Sequence, residues 1–253
     1  MSKKKQQDNP LANIMWNVLI PVAALSFLSK GDNDPLSQAA GEKLWHIGPV
    51  WGMALAVSLP LIYGIHHLIK TKKPNFFSIL GVVSILLTGG IAIMAFQKDG
   101  TVDDSAPFWF AMKEAAIPFV FGVTILLSHW TKTPLVRVFL YNPDFFNIPK
   151  IEKRVKEKDT EPAYKKLIFS GTLLLAGSFF VSMVMNYFLA MYFLNGSTGS
   201  QEEFNAAVGK LTWWGFAAIG LPMMVVLMIT MWRFVSGLKN ITGMDNEEIL
   251  LPR

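Results

Sequence analysis

The chain has 253 residues, of which 52% are apolar and only 16% are charged, and its formal net charge is +5. A soluble domain carries about 25% charged residues, so this composition predicts a membrane protein rather than a water-soluble one. The chain contains no cysteine, which excludes disulfides, thiol catalysis and cysteine-ligated iron–sulfur sites.

Six apolar segments follow one another along the chain, each roughly the length that a helix needs to cross the hydrocarbon layer. We therefore expect an all-α integral membrane protein with six transmembrane helices and one polytopic domain over residues 1–253. Asn13 and Asn17 interrupt the first segment, and the lysines before it resemble the start of a signal peptide. No small-residue cleavage site follows, which favours an uncleaved first span. The predicted spans are about 11–29, 47–69, 77–96, 108–130, 167–194 and 213–235.

Lysine and arginine are distributed unequally between the segments that alternate with these spans. The N-terminus, 70–76, 131–166 and the tail from Arg233 together hold 18 of them. The intervening segments 30–46, 97–107 and 196–211 hold four. Basic residues stay on the cytoplasmic side of membranes, so both termini are predicted to be cytoplasmic. Because the positive charge reports topology, nucleic acid is not an expected partner.

Two ionisable residues, Lys113 and Glu114, lie inside the fourth span. Phe108 and Trp109 precede them as candidate anchors at the outer surface, which places Lys113 about 6 Å deeper than Trp109. Pro118 cannot donate a backbone hydrogen bond to the carbonyl of Glu114. Charged groups at this depth are costly and need a partner or water, so they mark a candidate site. Two interpretations stay open: an ion or proton site near the outer leaflet, or a structural salt bridge with a snorkelling lysine.

The fifth span carries a polar stripe, because Ser178, Ser182 and Asn186 are spaced by four residues. Such residues commonly form hydrogen bonds between membrane helices, and they also line substrate paths. Asn186 lies toward the outer end of its span, at a depth comparable with Lys113. The candidate intramembrane polar site therefore comprises Lys113, Glu114, Pro118, Ser182 and Asn186.

The longest polar segment, 131–166, is predicted to be a basic cytoplasmic loop. One interpretation is a short helix on the membrane surface whose basic side chains reach anionic lipid headgroups. The other is a solvated linker that enforces topology. The candidate headgroup-binding residues are Lys150, Lys153, Arg154, Lys156 and Lys158.

No motif of catalysis or cofactor binding is found in the sequence. A G-x-S-x-G elbow, a phosphate-binding loop and an H-E-x-x-H pair are all lacking. The four histidines are scattered, and adjacent His66 and His67 do not share a helix face. The sequence therefore predicts no catalytic residue, no metal site, no cofactor and no enzymatic activity.

Several short motifs follow one another in a defined order along the chain. They are Trp109-Phe110-Ala111-Met112-Lys113, Lys132-Thr133-Pro134-Leu135-Val136-Arg137, Asn186-Tyr187-Phe188-Leu189-Ala190, Phe204-Asn205 and Gly209-Lys210-Leu211-Thr212. In this order they resemble the intracellular septation protein A family over about residues 47–235. Three further motifs are similar to a sister group of six-span bacterial proteins. Those motifs are Gly48-Pro49-x-x-Gly52, Leu87-Thr88-Gly89-Gly90 and Lys113-Glu114-Ala115-Ala116-Ile117-Pro118.

The resemblance implies a non-enzymatic protein of the bacterial inner membrane with a role in cell-envelope integrity or septation. The chain departs from the septation proteins in its extra N-terminal span and its longer basic loop. Its expected partners are the lipid bilayer, anionic lipids and either a second copy or other envelope proteins. The alternative is a transporter or channel for a small solute or ion that uses Lys113 and Glu114, and six spans then predict either a homodimer or an internal cavity.

Overall fold

The computed structural model describes residues 15–32, 43, 45–71, 76–131 and 134–251, and these residues are helical with short connections. The all-α prediction is confirmed for them. The α-helical turn Ile20–Ala23 (α1) lies between π-helical turns at Met15–Leu19 and Ala24–Leu28, and a third π-helical turn lies at Gly215–Gly220. The other α-helices are Pro49–Thr71 (α2), Phe76–Ala95 (α3), Ala106–Ser128 (α4), Val136–Phe139 (α5), Ile148–Glu157 (α6), Glu161–Leu194 (α7), Gln201–Trp214 (α8), Leu221–Thr242 (α9) and Asn246–Ile249 (α10).

Within the described residues, four helical segments are long and apolar enough to cross a membrane. They are Pro49–His66, Ala106–Ser128, Glu161–Leu194 and the continuous helical stretch Gln201–Thr242. The predicted span 77–96 falls on α3, which contributes a shorter apolar helix at Val82–Ala95. The predicted span 11–29 begins outside the described residues. The described residues are therefore those of a helical protein with four segments suited to spanning a membrane, and the full count of six remains a prediction.

The long helices expose apolar side chains instead of burying them. Only 11% of the most apolar window in Gln201–Thr242 is buried. Met224, Met228 and Trp232, spaced by four residues along α9, are all more than 60% exposed. Apolar faces of this extent are rare on soluble monomers and are typical of a surface in contact with lipid.

The chain divides into two compact units. The first unit comprises Met1–Ile117 and Met185–Ile219. Its core is built mainly from apolar residues of the π-helical turn Ala24–Leu28 and of α2, α3, α4, α7 and α8. Phe110 and Phe204 are both fully buried there, and their ring centroids lie 5.2 Å apart in an edge-to-face arrangement. Edge-to-face aromatic pairs add stability beyond the area they bury.

The second unit comprises Pro118–Val184 and Gly220–Arg253. Its core includes Tyr141 and Phe146, which pack with Phe234 from α9. The C-terminal residues close this core, since Asn147 donates its backbone N–H to the carbonyl of Ile249. The segment after α9 is thus an integral part of the second unit.

Two segments that the sequence indicated as connecting loops contain helices. Within 131–166, α6 is capped by Asn147, whose side chain accepts from the backbone N–H of Lys150. Ile151 and Val155 are buried on one face of α6. A helix with a buried face is not a solvated linker, so that interpretation of the basic segment is wrong. Within 196–211, Ser200 accepts from the backbone N–H of Glu203 and starts α8.

Candidate functional site

Lys113 is enclosed within the first unit, with only 6% of its side chain exposed. Its ammonium nitrogen lies 2.6 Å from Oε1 of Glu114 and 2.8 Å from Oγ1 of Thr88 on α3. The same nitrogen lies 5.7 Å from the centroid of the Phe110 ring, within the range of a cation–π contact. A carboxylate, a hydroxyl and an aromatic face therefore surround the charge.

The partner on α3 is itself held in place. The Thr88 hydroxyl accepts from Lys113 and donates to the carbonyl of Ser84, 3.0 Å away. The next residue, Gly89, lets α2 approach closely, because a Cβ there would lie 3.0 Å from Cγ1 of Val57. Small residues permit such close approach between membrane helices. The motif Leu87-Thr88-Gly89-Gly90 thus supplies one polar contact and one packing contact.

Other motif residues make packing contacts in the same unit. The buried Asn205 side chain donates to the carbonyl of Pro49, 2.7 Å away. A Cβ on Gly52 would collide with Ser29. Phe204, beside Asn205, packs on the ring of Phe110 one turn before Lys113. These residues join α2, α4 and α8 in one core.

The structure places the remaining members of the candidate polar site on two helices. Lys113 and Glu114 are brought together on α4, and Pro118 lies further along the same helix. Ser182 and Asn186 lie one turn apart on α7, where Ser182 is buried and Ser178 donates to the carbonyl of Leu175. Of the five residues, Lys113 and Glu114 are the two joined by a direct ion pair.

The first unit contains a cavity of about 700 Å³ between α2 and α3. Its wall is apolar around Val57 and Leu61, and polar around Gln97 and Asp99. Lys113 and Glu114 do not line it. The Lys113–Glu114 ion pair is therefore separate from this cavity.

The predicted headgroup-binding residues lie on or just after α6 in the second unit, and several form ion pairs. Lys150 lies 2.9 Å from Oε1 of Glu248, next to the C-terminal end of the chain. Lys153 and Arg154 both pair with Glu157, at 3.8 and 3.2 Å. Lys158 places its ammonium against Gly243, at the end of α9. Lys150 and Lys158 thus contact the C-terminal part of the second unit, whereas the ion pairs of Lys153 and Arg154 lie within α6.

Lys156 differs from the other basic residues of α6. It makes no ion pair with any residue that the structure describes, and it lines a second cavity with His129, Arg137 and Tyr164. The sequence pattern indicated no role for Arg137 or Tyr164. Arg137 stood out in the sequence only as the last residue of the motif Lys132-Thr133-Pro134-Leu135-Val136-Arg137.

No three metal-ligating side chains cluster in the described part of the chain. Comparisons of the chain with protein-family models, with curated proteins and with solved structures gave no match. The likeness to the septation protein A family therefore stays a prediction from the sequence motifs.

Proposed function

We propose that the chain is a non-enzymatic protein of the bacterial inner membrane that supports cell-envelope integrity or septation, with both termini in the cytoplasm. The observation that carries this proposal is the enclosure of Lys113. The lysine is the most conspicuous candidate for transport chemistry in the sequence. Its contact with Thr88 joins α4 to α3, and its contacts with Glu114 and Phe110 lie within α4. A charge held in this way stabilises a scaffold.

Two further observations support a scaffold in the membrane. Apolar side chains are exposed along the long helices, where lipid can cover them. The order of motifs along the chain resembles that of the septation protein A family, and in this structure those motifs supply helix-packing contacts such as Asn205 to Pro49. The proposed role is therefore exerted through the lipid bilayer and through envelope proteins or a second copy of the chain.

Deletion of the gene tests the envelope role. We expect altered cell length or increased envelope permeability under osmotic stress, measured by imaging and dye uptake, and restored by the wild-type chain. Wild-type morphology and permeability in the deletion strain would contradict the proposal. Reporter fusions next to Lys3 and Arg253 test the topology, and both should report a cytoplasmic position.

A second candidate function is transport of a small solute, which the 700 Å³ cavity of the first unit favours. Its volume lies within the range of small-molecule sites, roughly 300–1,000 Å³. Flux into proteoliposomes that is reduced by Asp99→Asn, a change in the cavity wall, would support this candidate. Flux that is instead abolished by Lys113→Met and Glu114→Gln would indicate that transport depends on the Lys113–Glu114 ion pair.

A further inference from the structure

The second unit contains a cavity of about 440 Å³ whose walls combine basic side chains with polar atoms that lack partners. It is bounded by the end of α4, the segment around α5, α6 and the start of α7. Its volume is sufficient for a small ligand or a lipid headgroup. The charged and polar residues in its wall are His129, Arg137, Glu152, Lys156, Glu161, Tyr164 and Lys165.

Arg137 is incompletely satisfied in this wall. One of its terminal nitrogens lies 3.3 Å from Oε1 of Glu152, while its Nε is buried without a hydrogen-bond partner among the described residues. The guanidinium also lies 5.9 Å from the ring centroid of Tyr141. Guanidinium nitrogens can only donate, so the missing partner must be an acceptor.

Two more polar atoms in the wall lack a well-formed hydrogen bond in the described structure. They are Nδ1 of His129, whose ring packs 4.9 Å from that of Phe169, and the hydroxyl of Tyr164. The Tyr164 hydroxyl makes a weak hydrogen-bond interaction with that of Tyr141 that falls short of good geometry, so its pairing is incomplete rather than absent. Buried polar groups in folded proteins are almost always paired, so incompletely paired groups beside one cavity favour a polar ligand there, and for Arg137 that ligand must supply an acceptor.

The charges in the wall favour an anion. Glu152 is paired with Arg137, and Glu161 lies 3.8 Å from Lys165. Lys156 adds a positive charge that no described carboxylate compensates. An oxyanion with several acceptor oxygens can satisfy a guanidinium and a lysine together, and phosphate fits this chemistry best.

We propose that this cavity, which we call the Arg137 cavity, binds a phosphate group through Arg137, Lys156 and Tyr164. The phosphate belongs either to the headgroup of an anionic phospholipid or to a soluble phosphate. This inference goes beyond the envelope role, since it concerns a binding site that can be measured on the purified chain.

The test measures ligand binding to the purified full-length chain in a neutral detergent. Three probes are titrated separately: a short-chain phosphatidylglycerol, a short-chain phosphatidylcholine and inorganic phosphate. Affinity is read from calorimetry, and thermal unfolding provides a second measurement. Tighter binding of phosphatidylglycerol than of inorganic phosphate identifies the lipid headgroup as the source, and the reverse identifies a soluble phosphate.

Two variants on the same helix separate the cavity from general surface charge. Lys156→Gln should weaken binding by about tenfold, because it removes one charge-assisted contact. Lys153→Gln makes the same change of charge on α6 at a position that is 78% exposed and outside the cavity, and should change affinity by less than about twofold. Equal weakening by the two variants would overturn the proposal, as would binding of none of the three probes.

Arg137→Gln should weaken binding more than Lys156→Gln, but it also breaks the contact with Glu152. Tyr164→Phe therefore provides an independent test, because it removes only a hydroxyl whose contact with Tyr141 in the unliganded chain falls short of good hydrogen-bond geometry. We expect unchanged or higher thermal stability without ligand and several-fold weaker binding. Unchanged affinity in Tyr164→Phe together with unchanged affinity in Lys156→Gln would overturn the proposal. Failure of these tests leaves the envelope phenotype unaffected, so the two proposals fail separately.

Discussion

The two units of this protein differ in how completely their buried ionisable side chains are paired. In the first unit, the ammonium of Lys113 has a carboxylate, a hydroxyl and an aromatic ring around it. In the second unit, Arg137 and His129 each have a buried nitrogen without a hydrogen-bond partner in the described structure, and the Tyr164 hydroxyl is only weakly paired with that of Tyr141. A charged residue within an apolar segment is conspicuous in the sequence, whereas an arginine in a polar segment is not.

This difference shows why burial alone is a poor guide to function in a membrane protein. A buried charge whose hydrogen bonds are all made stabilises a particular arrangement of helices, and removing one partner is costly. A cluster of incompletely paired polar groups indicates a binding site instead, because the free-energy cost of desolvating these groups is offset only when a ligand binds to them. If the first unit is a closed structural core, substitutions at its buried contacts should lower the free energy of unfolding. The loss should be largest where a substitution removes the most buried apolar surface or leaves a buried charge unpaired.

The largest effect is expected for Phe204→Ala in the first unit. Phe204 is fully buried and contacts the rings of Phe96 and Phe110, so its loss should lower the free energy of unfolding by about 4 kcal/mol. The matched control is Phe188→Ala, which makes the same change at a position that is 65% exposed. Unfolding in detergent measures both. Equal destabilisation by the two variants would mean that the first unit lacks a tight core around Phe204.

The second effect concerns the ion pair. Lys113→Met leaves Glu114 without its cation and should destabilise the chain by about 2 kcal/mol, less than for a fully buried pair because Glu114 remains partly exposed. Leu127→Met, at an exposed apolar position of the same helix, is the control.

Adding Glu114→Gln to Lys113→Met should recover part of that loss, because the uncompensated carboxylate is then removed. A Lys113→Met variant as stable and as active as the wild type would show that the lysine does not support the core. The enclosure of Lys113 would then no longer support a scaffold role.

Much of the helical architecture could be predicted from the sequence. The predicted spans 108–130 and 167–194 coincide largely with the helices Ala106–Ser128 and Glu161–Leu194. Composition and length are sufficient to identify a long apolar helix. The ends of such helices depend on local capping instead. The helix at Gln201–Trp214 starts well before the predicted span 213–235, since Ser200 and two acidic residues stabilise its first turn.

The candidate site was less predictable, for a physical reason. The sequence identified Lys113 and Glu114 through their unusual position. It did not indicate that Thr88, which lies 25 residues away on another helix, would be the hydrogen-bond partner of Lys113. The buried face of α6 was missed because only Ile151 and Val155 are fully buried, among many charges. The Arg137 cavity depends on the packing of several segments, and no local pattern encodes such a space.

A smaller effect is expected for Thr88→Val, which keeps the shape of the side chain and removes its hydroxyl. Lys113 would lose one acceptor, so the free energy of unfolding should fall by about 1 kcal/mol. Thr124→Val on α4 is a matched control, because Thr124 also donates to a backbone carbonyl four residues earlier but accepts from no charged side chain among the described residues. Chemical or thermal unfolding of the two variants distinguishes the loss of the lysine contact from the loss of a helix-internal bond.

The smallest effect concerns Glu248, on the second unit's C-terminal segment. Its hydrogen bond with Lys150, followed by the backbone N–H of Asp245, holds the pKa of Glu248 below its ordinary value of 4.5. A lowered folded-state pKa stabilises the fold above pH 4.5, and this contribution disappears as the pH falls through the folded value. Lys150→Met should therefore lower thermal stability slightly at neutral pH and leave it unchanged in strong acid, so that the difference from the wild type shrinks as the pH is lowered. Lys153→Met, which changes the same charge elsewhere on α6, is the control for net charge. A difference between Lys150→Met and the wild type that stays constant from neutral to strongly acidic pH would show that the Lys150–Glu248 contact does not anchor the C-terminal segment to α6.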